Sequence, residues 1–269
     1  MMPPPLKFGF HDFLNAQPLL VPLRRQAESL GWEMILDTPA ALAERLRAGE
    51  LDLAMIPSIE FLRADYRLLP GVSIASRGPV DTVLLVSRKP LDRIQTLALD
   101  HRSRTSATLL RILFHQVLPQ DIEFSTADPD PKALLKTHDA VLIIGDQALQ
   151  LAPRPDWKVH DLSQIWFEQT GKTFVHAVVA VRPEVELKKA VVAAIQQAKI
   201  IGREELAAIV QSQSAKTGIA PERCRDYLQH KIIYDFGAAE LDGLIHFQDL
   251  CLQHGLLDLK RPITPLSHR

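Results

Sequence analysis

Phe174-Val175-His176-Ala177-Val178-Val179-Ala180-Val181 is apolar on both faces at every position but His176, the mark of a strand buried on each side of its sheet. Val83-Leu84-Leu85-Val86-Ser87 is its upstream counterpart. Together the two runs bracket the middle of the chain and predict the two crossovers of a hinged, two-lobed protein. On this reading lobe one is residues 1–86 plus 180–269, and lobe two is residues 87–179. A chain of 269 residues suits that division, since domains hold on the order of 100 to 150 residues each.

Working outward, short apolar runs at 6–10, 32–36, 51–56, 72–75, 96–99, 122–125, 140–144 and 158–162 alternate with stretches of helical period. That is the pattern of βα units around mostly parallel sheets. Thr38-Pro39 opens a helix with a cap residue and a proline at its first position, and Gly49 ends it. A second helix is predicted from about Ser106 to Val117, and residues 125–131 read as a loop. After Val181 the pattern turns helical, over 184–201, 203–214, 221–230 and 238–255, with no further strand predicted. Such a tail has to bury its apolar faces, and lobe one is the expected support.

Hydrophobic residues make up 46% and charged residues 23% of the chain, enough apolar side chain for sizeable cores. Lys and Arg number 31 against 32 Asp and Glu, so no global field gathers nucleic acid or an anionic membrane. The first residues lack the pattern of a secretory signal, and no run approaches the roughly 18 apolar residues of a membrane span. A cytoplasmic location is expected. Cys224 and Cys251 fall in helical patterns as small buried thiols, with neither a disulfide nor a metal role expected. Walker, dinucleotide, HExxH and nucleophile-elbow motifs are all missing.

The candidate chemistry lies at strand ends. Phe10-His11-Asp12-Phe13-Leu14-Asn15-Ala16-Gln17-Pro18-Leu19 follows the first strand, and Asn15 either contacts a ligand or, like Gln17, caps the next helix. In Leu53-Ala54-Met55-Ile56-Pro57-Ser58-Ile59-Glu60, Ser58 suits a helix cap that turns N–H groups toward a cleft, and Glu60 a solvated face. Ser76, Arg77 and Thr82 set hydroxyl and guanidinium groups around a turn at Gly78-Pro79; a surface ion pair for Arg77 is the alternative. Asp100-His101-Arg102-Ser103-Arg104-Thr105-Ser106 joins a strand to a helix, where hydroxyls and free amides suit an anion, or Ser103 or Thr105 caps the helix. Ile144-Gly145-Asp146 is another such turn, with Gly145 allowing close backbone approach and Asp146 able to cap; Trp166 is core or cleft wall.

Several of these segments together resemble the chorismate dehydratases of the futalosine route to menaquinone. They are Leu14-Asn15-Ala16-Gln17-Pro18-Leu19, Ile56-Pro57-Ser58-Ile59-Glu60, the stretch from Gly71 to Val80, Ser103-Arg104-Thr105-Ser106, Ile144-Gly145-Asp146, and the segment from Thr170-Gly171 to Arg182. The resemblance implies an α/β fold of the type II periplasmic-binding-protein kind, with two lobes, mixed sheets and a helical C-terminal tail. It implies a lyase that removes water from chorismate to give 3-[(1-carboxyvinyl)oxy]benzoate, with no cofactor and no metal. By the same resemblance Asn15 and Thr82 are the catalytic positions, and a threonine here replaces the family's usual serine, keeping the hydroxyl but restricting its rotamer. Ser58, Ser76, Arg77, Ser103, Arg104, Thr105, Ser106, Gly145, Asp146 and His176 are the substrate-binding candidates. The proton acceptor is left between the substrate's enolpyruvyl carboxylate, His176 and His11. A non-catalytic module that binds a small anion, solute or effector, is the alternative on the same fold; the oligomeric state is left open.

Overall fold

A computed structural model describes residues 5–27, 29–115, 117–118, 121–128, 130–152 and 154–266. The strands are β1 (Leu6–Phe10), β2 (Trp32–Leu36), β3 (Leu53–Pro57), β4 (Arg67–Ser76), β5 (Val83–Ser87), β6 (Thr96–Asp100), β7 (Glu123–Ala127), β8 (Ala140–Ile144), β9 (Lys158–Asp161), β10 (Phe174–Val181) and β11 (Thr264–Pro265). The helices are α1 (Gln17–Gln26), α2 (Pro39–Arg47), α3 (Ser58–Arg63), α4 (Thr105–Leu113), α5 (Pro131–Leu134), α6 (Asp146–Leu149), α7 (Leu162–Thr170), α8 (Lys189–Glu204), α9 (Leu206–Thr217), α10 (Pro221–Asp226) and α11 (Ala238–Gln253). A π-helical turn, Tyr227–Lys231, extends α10.

Two sheets carry the lobes. The first has six strands in the order β11-β4-β10-β3-β1-β2, and the second has five in the order β7-β6-β8-β5-β9. Within the first, β1 runs parallel to β2 and β3 while β10 is antiparallel to β3 and β4; within the second, β5 is antiparallel to β8 and β9. The expected strands form, but the bounds of the lobes move. β5 lies wholly in the second sheet and β10 wholly in the first, so the limits at 86/87 and 179/180 fall inside or beside strands that do not cross. The chain passes between sheets at residues 77–82 and again at 171–173, because a strand that is paired along its whole length has no backbone groups free for a second sheet.

The core is shared. One apolar cluster runs from Phe8, Ile56 and Val178 in the first sheet to Leu85, Leu97 and Leu142 in the second. Leu84, Val86, Val141 and Ile143 alternate with them and form a smaller cluster on the other face of the second sheet. Thr38 caps α2 by accepting from the Ala41 amide at 3.3 Å, as its sequence predicts. Cys224 and Cys251 are buried free thiols on α10 and α11.

The tail docks on lobe one: α8 packs on α1 and β4, and α11 on β10 and α3, while α11 also reaches α4 of the second lobe. Contrary to expectation it ends in a strand, the short β11, which with residues 232–234 covers the outer edge of β4. An exposed edge would otherwise present unpaired backbone groups. The strand expected at 122–125 forms as β7 and runs on to Ala127, into the start of the expected loop, paired throughout with β6.

Gly202 is where α8 crosses α1, and a Cβ built there would stand 1.7 Å from the Pro18 carbonyl oxygen. Gly202→Ala therefore overpacks a backbone contact that no rotamer can relieve. The expected cost is about 1–3 kcal/mol or more, read as a lower urea midpoint with an unchanged denaturant slope.

Candidate functional site

The two lobes enclose a cavity of about 80 Å³ at the carboxyl ends of β1, β3, β6 and β8. Its wall includes His11, Asn15, Thr82, Ser103, Ser106, Gly145 and His176, with Arg102 and Arg104 beside them. Ligands of open α/β sheets sit at such strand ends.

The turn after β1 sets Asn15 there. Asp146, from the second lobe, accepts the Leu14 amide at 3.0 and 3.3 Å on its two carboxylate oxygens, gripping the short 3₁₀ turn Leu14–Ala16 that carries Asn15. Burial raises the Asp146 pKa against that amide and Arg102. Neither Asn15 nor Gln17 caps α1; Gln17 is buried and donates to Asp12 at 2.7 Å. Asn15 Oδ1 is buried with no hydrogen-bond partner among the described residues.

Thr82 ends the outgoing crossover. Its hydroxyl lies 3.0 Å from the Tyr227 hydroxyl, and its carbonyl accepts the Gly145 amide at 2.9 Å. Tyr227, on the π-helical turn, is buried; burial pushes its pKa up, with the Thr82 hydroxyl and the Asn15 amide pulling it back. It is a neutral phenol that links both predicted catalytic positions. The sequence carried no signal for Tyr227, because its place depends on residues 232–234 pairing with β4 some 150 positions upstream.

His176 is the bulged residue of β10. The register with β4 shifts between Val175 and Ala177, which turns the imidazole toward the cavity out of an otherwise apolar strand. Its Nε2 lies 2.8 Å from Ser76 Oγ and 3.4 Å from Ser163 Oγ. Burial lowers its pKa to about 4. His11 is buried as well, with a pKa of about 4 lowered by burial against the raising influence of Asp12, and its Nδ1 has no partner among the described residues. Both imidazoles are neutral near pH 7.

At the start of α4 the Ser103 hydroxyl is buried, and among the described residues it has no partner and no side chain caps the helix. Neither Ser103 nor Thr105 is the expected cap. Thr105 is committed elsewhere: its hydroxyl donates to the His176 carbonyl and accepts the Ile59 amide, both at 3.3 Å, joining the lobes. Arg104 pairs with Glu44 across the cleft at 2.9 Å, and Arg102 grips Asp100 in a fork at 2.9 and 2.7 Å. Arg102 also stands over the Phe13 ring, 5.5 Å from its centroid.

Four expected binding residues do not reach the cavity wall. Ser58 neither caps α3 nor faces the cavity, because its buried hydroxyl donates to the Val175 carbonyl at 2.6 Å. Ser76 is spent on His176 and Ser163, and Asp146 on Leu14. Arg77 is exposed and lies over the Phe167 ring at 5.3 Å, in place of an ion pair. Glu60, expected on a solvated face, is buried and paired with Arg63 at 2.7 Å. Trp166 is core.

Comparison with known proteins places this geometry. The family described as menaquinone biosynthesis matches residues 6–253. The chorismate dehydratase of Thermus thermophilus is 29% identical over 250 residues, covering 83% of this chain and 87% of that one. The chorismate dehydratase of Campylobacter jejuni is 26% identical over 249 residues, covering 91% and 96%. Among solved structures, an Archaeoglobus fulgidus protein superposes with a TM-score of 0.77 at 16% identity, covering 96% of this chain and all (100%) of that one. The periplasmic aliphatic sulphonate binding protein of Escherichia coli gives 0.65 at 20% identity, covering 97% and 96%. The fold is that of the periplasmic binding proteins.

Two outcomes follow from the site's electrostatics. His11 and His176 bind protons more readily in the unfolded chain, where the pKa is near 6.5, than in the fold, where it is about 4. Stability is thus full above about pH 6.5 and falls as pH drops toward 4, by up to about 3 kcal/mol per histidine. Urea midpoints measured from pH 7 to pH 4.5 should show that slope, and His176→Asn should flatten it. Tyr227→Phe keeps the packing but removes the hydroxyl that holds Thr82. Turnover should fall on the order of tenfold, with stability lowered by only about 1 kcal/mol.

Proposed function

Because this chain belongs to the menaquinone biosynthesis family, we propose that it is a lyase that dehydrates chorismate to 3-[(1-carboxyvinyl)oxy]benzoate. The observation that carries the reading is the gathering of Asn15, Ser103 and His11 on the wall of one cavity between the lobes, each with a buried polar atom that has no partner among the described residues. Unsatisfied buried polar atoms are costly, and a bound polar ligand supplies their partners. The curated relatives bear the same activity in their names.

The chemistry suits the groups present. Loss of the C3 proton and the C4 hydroxyl leaves an aromatic ring, so the substrate supplies much of the driving force. What remains for the protein is to bind two carboxylates, orient the ring and meet developing charge with fixed dipoles. Ser103, Ser106 and the uncapped amides of α4 receive one carboxylate. Arg102 and Arg104 keep that end of the cleft positive, although each already holds an acid. Asn15 and Thr82 face the departing hydroxyl, with Tyr227 holding both in place.

A histidine of pKa about 4 is no stronger a base than a carboxylate. The usual advantage of imidazole is lost in this site. The substrate's own enolpyruvyl carboxylate, tethered beside C3, takes the proton with the benefit of high effective concentration. His11 and His176 act as neutral hydrogen-bonding groups. The reaction needs no metal or nucleotide on this account, and a cytoplasmic location is part of the same proposal.

Incubation with chorismate should remove its diene absorbance and yield the enolpyruvyl ether, with full activity in excess chelator. Saturable binding without turnover would instead establish a binding protein. Asn15→Ala should reduce turnover on the order of a hundredfold or more while leaving the melting point close to that of the parent, since Asn15 caps no helix.

A further inference from the structure

A second cavity, of about 560 Å³, opens between α1, the α8–α9 junction and the π-helical turn. Its volume falls in the range of small-molecule pockets, roughly 300–1,000 Å³. Pro18, Leu206, Leu228 and Ile232 form the apolar part of its wall, and the solvent-exposed Arg203 and Arg225 stand beside them.

Two polar groups on its wall have no partner among the described residues. Tyr234 is only 3% exposed, and its hydroxyl has no hydrogen-bond partner among the described residues. Arg225 has no acid or other acceptor among them either. Arg203 holds Asp235 at 2.7 Å, and Glu204, exposed to solvent, is the one acid on the described wall. A buried phenol and a solvent-exposed guanidinium, neither with a partner among the described residues, share a wall with Leu206 and Leu228, a combination that suits an acceptor with a hydrophobic body.

We propose that this cavity is a second binding site, separate from the cleft, for a small organic anion with an apolar body, a carboxylate or sulfonate. The guanidinium of Arg225 takes the anionic group, the Tyr234 hydroxyl donates to it, and Leu206 and Leu228 cover the apolar part. The site abuts the cleft: Ile232 lines both cavities, and Leu228 follows Tyr227, the residue that meets Thr82. An occupant would press on the same turn that positions Thr82.

The test uses the full chain and 8-anilinonaphthalene-1-sulfonate as the probe, followed by its fluorescence. One saturable site per chain is expected. Arg225→Glu and the cavity-filling Ala207→Phe should each weaken binding at least tenfold, and Tyr234→Phe severalfold, whereas Ser103→Ala and Arg102→Ala in the cleft should leave it unchanged. Melting curves of each variant confirm that it is folded. Lack of saturable binding, or weakening by the cleft variants without weakening by Arg225→Glu, would overturn the proposal.

Discussion

Four backbone amides share the carboxylate of Asp161, two from the outgoing passage between the lobes and two from the first turn of α7. Oδ2 accepts Val80 and Asp81 at 2.9 and 2.7 Å, on the outgoing crossover. Oδ1 accepts Ser163 and Gln164 at 2.9 and 3.1 Å, capping α7, whose far end delivers the returning crossover. Asp81 is thereby held at a positive φ of 61°, a conformation an L residue adopts at a cost, and Lys231 pairs with its side chain at 2.8 Å. The next residue is Thr82. Its place opposite Tyr227 thus depends on one half-buried acid at the end of β9.

The lobes are held by polar contacts spread around the cleft. Asp146 with Leu14, Thr105 with Ile59 and His176, and Arg104 with Glu44 each join groups far apart in sequence. Two of these contacts use backbone amides at strand or helix ends, where the ladder leaves a donor free. The Asp146 contact, with those of Ser58 to Val175 and Ser76 to His176, also explains why these three residues, which look like ligands in the sequence, are not on the cavity wall. Their hydrogen-bonding capacity is consumed in fixing the neighbours that are.

What remains at the centre is polar but neutral. His11 and His176 lose their charge to burial, Tyr227 keeps its proton, and each arginine near the cavity already faces a carboxylate. An environment of oriented dipoles with little free charge stabilises charge that develops during elimination without binding the starting anion too firmly.

The strands and the main helices were legible because period and capping are local: β1, β2, β5, β8 and β10 form where their apolar runs stand, and Thr38-Pro39 begins α2. Asn15, Thr82, Ser103, Ser106 and Gly145 were legible as residues at strand ends, and His176, inside β10, was singled out only with the resemblance, which gives all six their roles; all line the cavity. Ser58, Ser76, Arg77 and Asp146 sit at equally suggestive positions, yet the direction of each side chain depends on a partner from another element. Tyr227 and the bulge that turns His176 inward had no local signature at all. The sequence by itself determined where strands end and which hydroxyls and amides lie there, since these follow from side-chain period and backbone geometry. Only the tertiary structure decided which of those groups are left without partners, because hydrogen-bond satisfaction is settled between residues distant in the chain.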